Sequence, residues 1–223
     1  TGDRVAAKSV GLAPENRWLI AADPDGGNAQ FLEHMGSNDD KVTVDWSPSR
    51  QVVAFSQTGE PLGADRQEII LIGQNKENFR GLVVEGRGFQ SEWSPTGKQL
   101  TYSVYSARNN FKPELWITSA LGDDIGANRR PLNLATWAEK CAFADERFVY
   151  CGVPTKLDTG AGFQPVLADN TDDILMRIDL ETGLRTPIAL DEPHTIGKIF
   201  VGADGKTLTF TDKRQDGIFQ VQL

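Results

Sequence analysis

The sequence predicts an all-β protein, a β-propeller of four-stranded antiparallel blades. Five stretches of the chain can be laid over one another as hairpins, and no stretch sustains helical periodicity. The hairpins are residues 10–21 (VGLAPENRWLIA), 44–55 (VDWSPSRQVVAF), 91–102 (SEWSPTGKQLTY), 141–150 (CAFADERFVY) and 199–210 (IFVGADGKTLTF). Each reads as an apolar or aromatic residue, a turn, and then a strand with alternate apolar positions. A four-stranded sheet this short cannot bury both of its faces alone. Radial stacking of copies buries them and leaves only short edges.

Local chemistry justifies the elements in order. The turns are Ala13-Pro14-Glu15-Asn16, Ser47-Pro48-Ser49-Arg50, Ser94-Pro95-Thr96-Gly97, Ala144-Asp145-Glu146-Arg147 and Ala203-Asp204-Gly205. Proline presets φ at the second turn position, and Gly or Asn tolerates a positive φ near its end. Third strands follow at 68–72, 114–118, 174–179 and 217–223, and fourth strands at 81–85, 130–134 and 185–190. Turn-rich pieces such as 73–76 and 180–183 lie between them. Val52, Ala54, Leu100, Tyr102, Phe148, Tyr150, Leu208 and Phe210 are the expected core between blades.

The whole chain is then a single propeller domain, 1–223, with about five units at 1–38, 39–86, 87–135, 136–191 and 192–223, either alone or within a longer protein. The first and last units are irregular. Trp18 and the residues after it read equally well as a second strand or as a third strand with its turn. The last unit stops after three strands, so closing a ring within this chain would require residues 4–8 to supply the missing outer strand. Without that closure the last blade ends in an exposed edge that invites self-association.

The repeats resemble the TolB-type, WD-repeat-like β-propeller family. The residues that carry the resemblance are Trp46-Ser47-Pro48, Trp93-Ser94-Pro95-Thr96-Gly97-Lys98, Leu115-Trp116 and Ala203-Asp204-Gly205-Lys206. The family's hairpin carries aromatic-Ser-Pro-Asp-Gly-Lys, followed by a strand ending near a Leu-Trp pair. The resemblance implies a binding propeller in a bacterial extracytoplasmic setting (periplasmic, cell-surface or secreted). The same repeats also build the substrate-gating domains of some serine peptidases.

Charge and motifs narrow the function classes. The 23 basic residues stand against 31 acidic ones, for a net charge of −8, and no Lys/Arg block stands out. Nucleic acid is therefore not expected as a partner. No apolar run is long enough to span a bilayer, and the first residues, TGDRVAAKSVG, lack signal-peptide features, as those of a processed chain also would. The chain has no Gly-x-Ser-x-Gly elbow, no His-Glu-x-x-His and only two histidines, so no catalytic residue, cofactor or metal is expected. Residues 23–28 (DPDGGN) place oxygens as a calcium loop begins, without the distal Glu, and read as a hairpin turn.

Strand alternation places all second-to-third connections on one face. The three longest insertions, 56–67, 106–113 and 152–172, are of this kind, and the fourth-to-first connections 86–88 and 191–195 join them. The expected recognition residues are Tyr105, Arg108, Asn110, Phe111, Phe163, Gln164, Asp172 and Asp173, with Arg87 and His194 nearby. A structural alternative is that these loops are tolerated insertions whose aromatics pack onto the blades. His194 and the Asp172-Asp173 pair also read as solvated turn residues. Hairpin pairing about Glu146 puts Cys141 opposite Cys151, which allows either a disulfide or two reduced, buried thiols.

The expected function is non-catalytic recognition of a protein, peptide or glycan through the long loops. The alternatives are an accessory propeller of a longer peptidase or hydrolase, and a structural module that oligomerises through an open blade edge.

Overall fold

The computed structural model describes residues 2–63, 65–75 and 77–223. The described residues form five successive antiparallel sheets in which sequence neighbours pair. The first holds β1 (Val5–Val10), β2 (Arg17–Ala22) and β3 (Gln30–His34). The second holds β4 (Val42–Val44), β5 (Val52–Ser56), β6 (Gln67–Gly73) and β7 (Leu82–Val84). The third holds β8 (Arg87–Trp93), β9 (Gln99–Tyr105), β10 (Pro113–Ser119) and β11 (Arg130–Pro131). The fourth holds β12 (Cys141–Phe143), β13 (Phe148–Pro154), β14 (Asp173–Asp179) and β15 (Arg185–Ile188). The fifth holds β16 (Ile196–Val201), β17 (Thr207–Asp212) and β18 (Ile218–Gln222).

The chain clusters into two compact units. One runs through Val84 and includes Leu121–Gly126; the other comprises Glu85–Ala120 and Ala127–Leu223. The expected turn at 73–76 includes Lys76, which lies outside the described residues, as does Ala64 of the 56–67 insertion.

The hairpin turns form as local chemistry dictates. In Ser94–Gly97 the Gly97 N–H donates to Ser94 O at 2.9 Å, and the Gln99 N–H donates to the Ser94 hydroxyl at 3.0 Å. Residues 47–52 repeat this pattern, with the Arg50 N–H on Ser47 O and the Val52 N–H on Ser47 Oγ. Gly97 has φ of 72° and Arg50 has φ of 63°, so Arg50 tolerates the left-handed position that its counterpart leaves to glycine. In 202–207 the Asp204 carboxylate receives the N–H groups of Lys206 and Thr207.

The structure changes three readings of the chain ends and core. Trp18 lies in the second strand, because Pro14–Asn16 forms a 3-10 turn that sends β2 back along β1. Residues 5–8 of the proposed closing segment pair with β2, so the last sheet keeps three strands among the described residues. Phe148 is only half-buried, with Arg147 and Arg177 about 5.1 and 5.3 Å from its ring centre.

The other seven expected core residues are buried, and on β5, β9 and β13 so are residues that alternate with them, whereas Thr207, Thr209 and Thr211 beside Leu208 and Phe210 are half-buried. Val53 and Phe55 of β5 are as enclosed as Val52 and Ala54. A strand covered on both faces hides every residue, and the apolar alternation then only sorts which neighbouring sheet each one meets. The fourth sheet shows this sorting: Val149 and Cys151 join Leu115, Ile117 and Leu134 on one side, while Tyr150 and Leu175 join Ile196, Leu208 and Phe210 on the other. Gly152 permits the second contact, since a Cβ there would lie 2.9 Å from the Cβ of Ile196.

Candidate recognition loops

Within the second unit, two connections meet. The β9–β10 loop spans 106–112 and the β13–β14 loop 155–172. The expected 106–113 and 152–172 insertions are shorter because Pro113 and Gly152–Pro154 belong to strands. Ser106 starts the first loop as a small capping box with Asn109, and Asn110 ends the 3-10 turn in the left-handed region. Phe111 follows at φ of 55°, an uncommon conformation for a bulky residue that requires support from its surroundings.

That support comes from the second loop. Gly160 N–H donates to Asn110 O at 3.0 Å and Gly162 N–H to Phe111 O at 2.7 Å. Backbone can approach this closely only because residue 162 is glycine: a Cβ would lie 2.4 Å from Tyr105 Cβ and 2.7 Å from Phe111 O. With the main chains latched, Phe163 packs between Tyr105 (ring centres 5.8 Å) and Phe111 (6.0 Å, edge to face). Beneath the loop, Trp137 packs with Ala161, Ala168 and Leu157.

The outcome is a fixed apolar surface. Phe163 is 49% exposed and Phe111 40%, and the short 3-10 helix after Gln164 adds Val166 and Leu167 at 66% and 43%. Arg108, 60% exposed at its side chain, reaches Glu85, whose closer partner is Arg129 at 2.9 Å. Arg87 lies in β8 directly across from Tyr105, and Gln164 is exposed beside Phe163. Seven of the ten expected residues therefore fall on this surface or its margin: Tyr105, Arg108, Asn110, Phe111, Phe163, Gln164 and Arg87.

The other three do not. Asp172 is engaged by Arg214 at 2.5 Å. Asp173 is buried: Lys140 Nζ donates to both of its oxygens at 2.8 and 2.6 Å, and the Ile196 N–H donates to one of them at 2.6 Å. Burial pushes Asp173 up and Lys140 down, each opposed by its partner's charge. His194 is also buried, under Phe219 and Phe210, with Nδ1 2.9 Å from Asp212 Oδ2. Neither Asp173 nor His194 is a solvated loop residue, because the fifth sheet covers both.

Sequence reasoning missed Val166 and Leu167 on the surface, and Lys140 and Asp212 as the buried partners of Asp173 and His194. The Gly160-Ala161-Gly162 run, spaced for close backbone approach, was the available signal for the latch. The remaining candidate features also resolve. Cys141 and Cys151 pair in register and are joined by a disulfide, with Cα atoms 4.1 Å apart, the short spacing of a non-hydrogen-bonded pair. In the 23–28 turn, Asp25 Oδ1 accepts from the Gly27 N–H and Asp23 Oδ2 from Asn28.

Two carboxylates impose a pH dependence. Arg147, with smaller help from the N–H groups of Thr182 and Glu181, holds the Asp179 carboxyl well below its usual range. Burial opposes the same shift at Asp212, where the N–H groups of Arg214, Thr195 and Gln215 and the His194 ring prevail. A folded-state value below the unfolded one gives stability that is present above about pH 4 and is lost as the pH falls further. Urea midpoints are therefore expected to drop between about pH 4 and about pH 2, with a shallower drop in Asp179→Asn.

No family model and no curated protein matches the chain. Solved structures do. TolB from Acinetobacter baumannii aligns over 99% of this chain and 53% of its own, at 15% identity and a TM-score of 0.59. The β-propeller domain of the Trilobed protease from Pyrococcus furiosus aligns over 100% and 66%, at 11% identity and a TM-score of 0.59. The chain has a β-propeller fold. A chain of the nidogen–laminin complex also matches, over 100% of this propeller and 73% of its own length, at 13% identity and a TM-score of 0.50. The propeller thus spans about half the length of the TolB structure and about two thirds of the protease domain. No helix among its described residues is long and apolar enough to cross a membrane.

Proposed function

We propose that this chain is a non-catalytic binding propeller that recognises a protein or peptide through the latched loops 106–112 and 155–172. The observation that carries the reading is the exposed cluster of Phe111, Phe163, Val166 and Leu167, held on a main-chain latch and not left to flexible side chains. Rigid aromatics on loops lose little entropy when a partner covers them, and aromatic and Arg residues are the common anchors of interfaces. The likeness to TolB and to a chain of the nidogen–laminin complex supports a macromolecular partner, and the resemblance to TolB-type repeats supports an extracytoplasmic setting.

A pull-down with the purified chain, compared with Phe163→Asp and Val166→Asp, tests the reading. Both substitutions are on the surface and should leave the melting temperature within a few degrees while removing the partner. Undiminished recovery with both would refute it. The likeness to the Trilobed protease propeller favours a second reading, an accessory domain of a longer hydrolase, which a hydrolase domain in the same full-length chain would support.

A further inference from the structure

We infer that the first unit carries a separate binding pocket for a small organic cation, an amine with an apolar body. A cavity of about 650 Å3 opens between the first and second sheets, within the size range of ligand sites. Its floor is apolar, built of Leu32, Met35, Val42 and Ile72 from the core that joins those sheets. Trp18 and Phe79 bring aromatic rings to the wall. Trp18 is held at its place in β2 by two neighbours, Phe31 edge-on at 5.4 Å and His34 at 4.7 Å.

Charge decides the class of occupant. The lining contains two carboxylates, Glu33 and Glu77, and among the described residues it contains no lysine or arginine. Two lysines stand at its margin, Lys41 donating to Asn38 at 3.2 Å and Lys8 to the Val42 carbonyl at 3.0 Å. Glu77 is built in: its two oxygens accept the backbone N–H and side-chain amide of Asn75 at 2.7 and 2.9 Å. Burial opposes ionisation of Glu77, but the Asn75 N–H, Glu77's own N–H and the Asn75 side-chain amide prevail and hold the group below its usual value. It folds back over Gly73 beside Phe79, where a Cβ would lie 2.1 Å from Glu77 Oε2 and 2.8 Å from the Phe79 ring. A fixed carboxylate next to aromatic faces attracts a cation twice, through its charge and through the negative face of the rings. The apolar floor then takes the hydrocarbon part. Among the described lining residues the two carboxylates favour a cation over an anion or a neutral ligand of the same shape.

Calorimetry and tryptophan fluorescence with phenethylammonium, its neutral isostere 2-phenylethanol and phenylacetate test the inference. Phenethylammonium should bind in the millimolar range or tighter, with about tenfold weaker binding of 2-phenylethanol and none of phenylacetate. Glu77→Gln and Glu33→Gln should each weaken the cation severalfold, and Trp18→Phe should abolish the fluorescence change. Glu192→Gln, which neutralises a carboxylate of the second unit, should change nothing. Equal affinity for 2-phenylethanol, binding indifferent to both lining substitutions, a loss in Glu192→Gln as large as in Glu77→Gln, or no saturation at millimolar concentration would each overturn it. The outcome is independent of the Phe163 loops, so either reading can fail alone.

Discussion

Replacing Lys140 with Met is expected to destabilise the protein by about 3–5 kcal/mol, the largest effect of any substitution considered. The side chains of Lys140 and Asp173 are 3% and 0% exposed, and their pairing at 2.6 Å is what makes a charge tolerable in that position. Methionine matches the length of the lysine stem but leaves the Asp173 carboxylate with the Ile196 N–H and no hydrogen-bonded counter-ion. Two readouts separate this cause from poor packing. Asp173 in the variant should bind a proton more readily folded than unfolded, so its penalty is present at neutral pH and relaxes as the pH falls through its raised value. The double variant Lys140→Met, Asp173→Leu should regain most of the lost stability, because an apolar pair of similar volume needs no desolvated charge. Thermal melts of the three proteins at about pH 7 and about pH 4 check both points. A double variant as unstable as the single one would show that the pair is not the cause.

Gly162→Val should have the largest effect on recognition. The new Cβ would be placed 2.4 Å from Tyr105 Cβ and 2.7 Å from the Phe111 carbonyl, neither of them the free end of a flexible chain. The loops must part. The hydrogen bond from Gly162 to Phe111 is lost, the Gly160 bond weakens, and Phe163 leaves its place between Tyr105 and Phe111. Hydrogen exchange should show faster labelling of the Gly160 and Gly162 amides while amides of β9 and β13 keep their protection. Partner recovery should fall at least tenfold. The melting temperature should move little, since the latch lies at the end of the blades and the cores on either side of the fourth sheet are untouched. Unchanged exchange at residues 160 and 162 would mean that the contact is not a latch.

Much of this was legible in the residues. The hairpins at Trp46 and Trp93 could be read because proline, serine and a left-handed residue set their turns within four positions of chain. The pairing of Cys141 with Cys151 followed from counting outward from Glu146, since an antiparallel register propagates from its turn. Phe111 and Phe163 were legible as loop aromatics because large apolar side chains in long connections have no strand to account for them, and Tyr105 closes the strand that leads into the first of those loops.

The amino-acid sequence by itself determined the repeat, the positions of the hairpin turns, the register of the Cys141–Cys151 hairpin and the loops that carry the aromatics, because each depends on contacts a few residues apart. Burial was decided only by the tertiary structure. Asp173 and His194 look like solvated turn residues until the fifth sheet is laid over them, and every residue of β5, from Val52 to Ser56, proves buried. The latch joins Asn110 and Phe111 to glycines about fifty positions away, and the Trp18 cavity exists only where two sheets diverge. Contacts of that range reflect which surfaces meet, and local propensity carries no record of them.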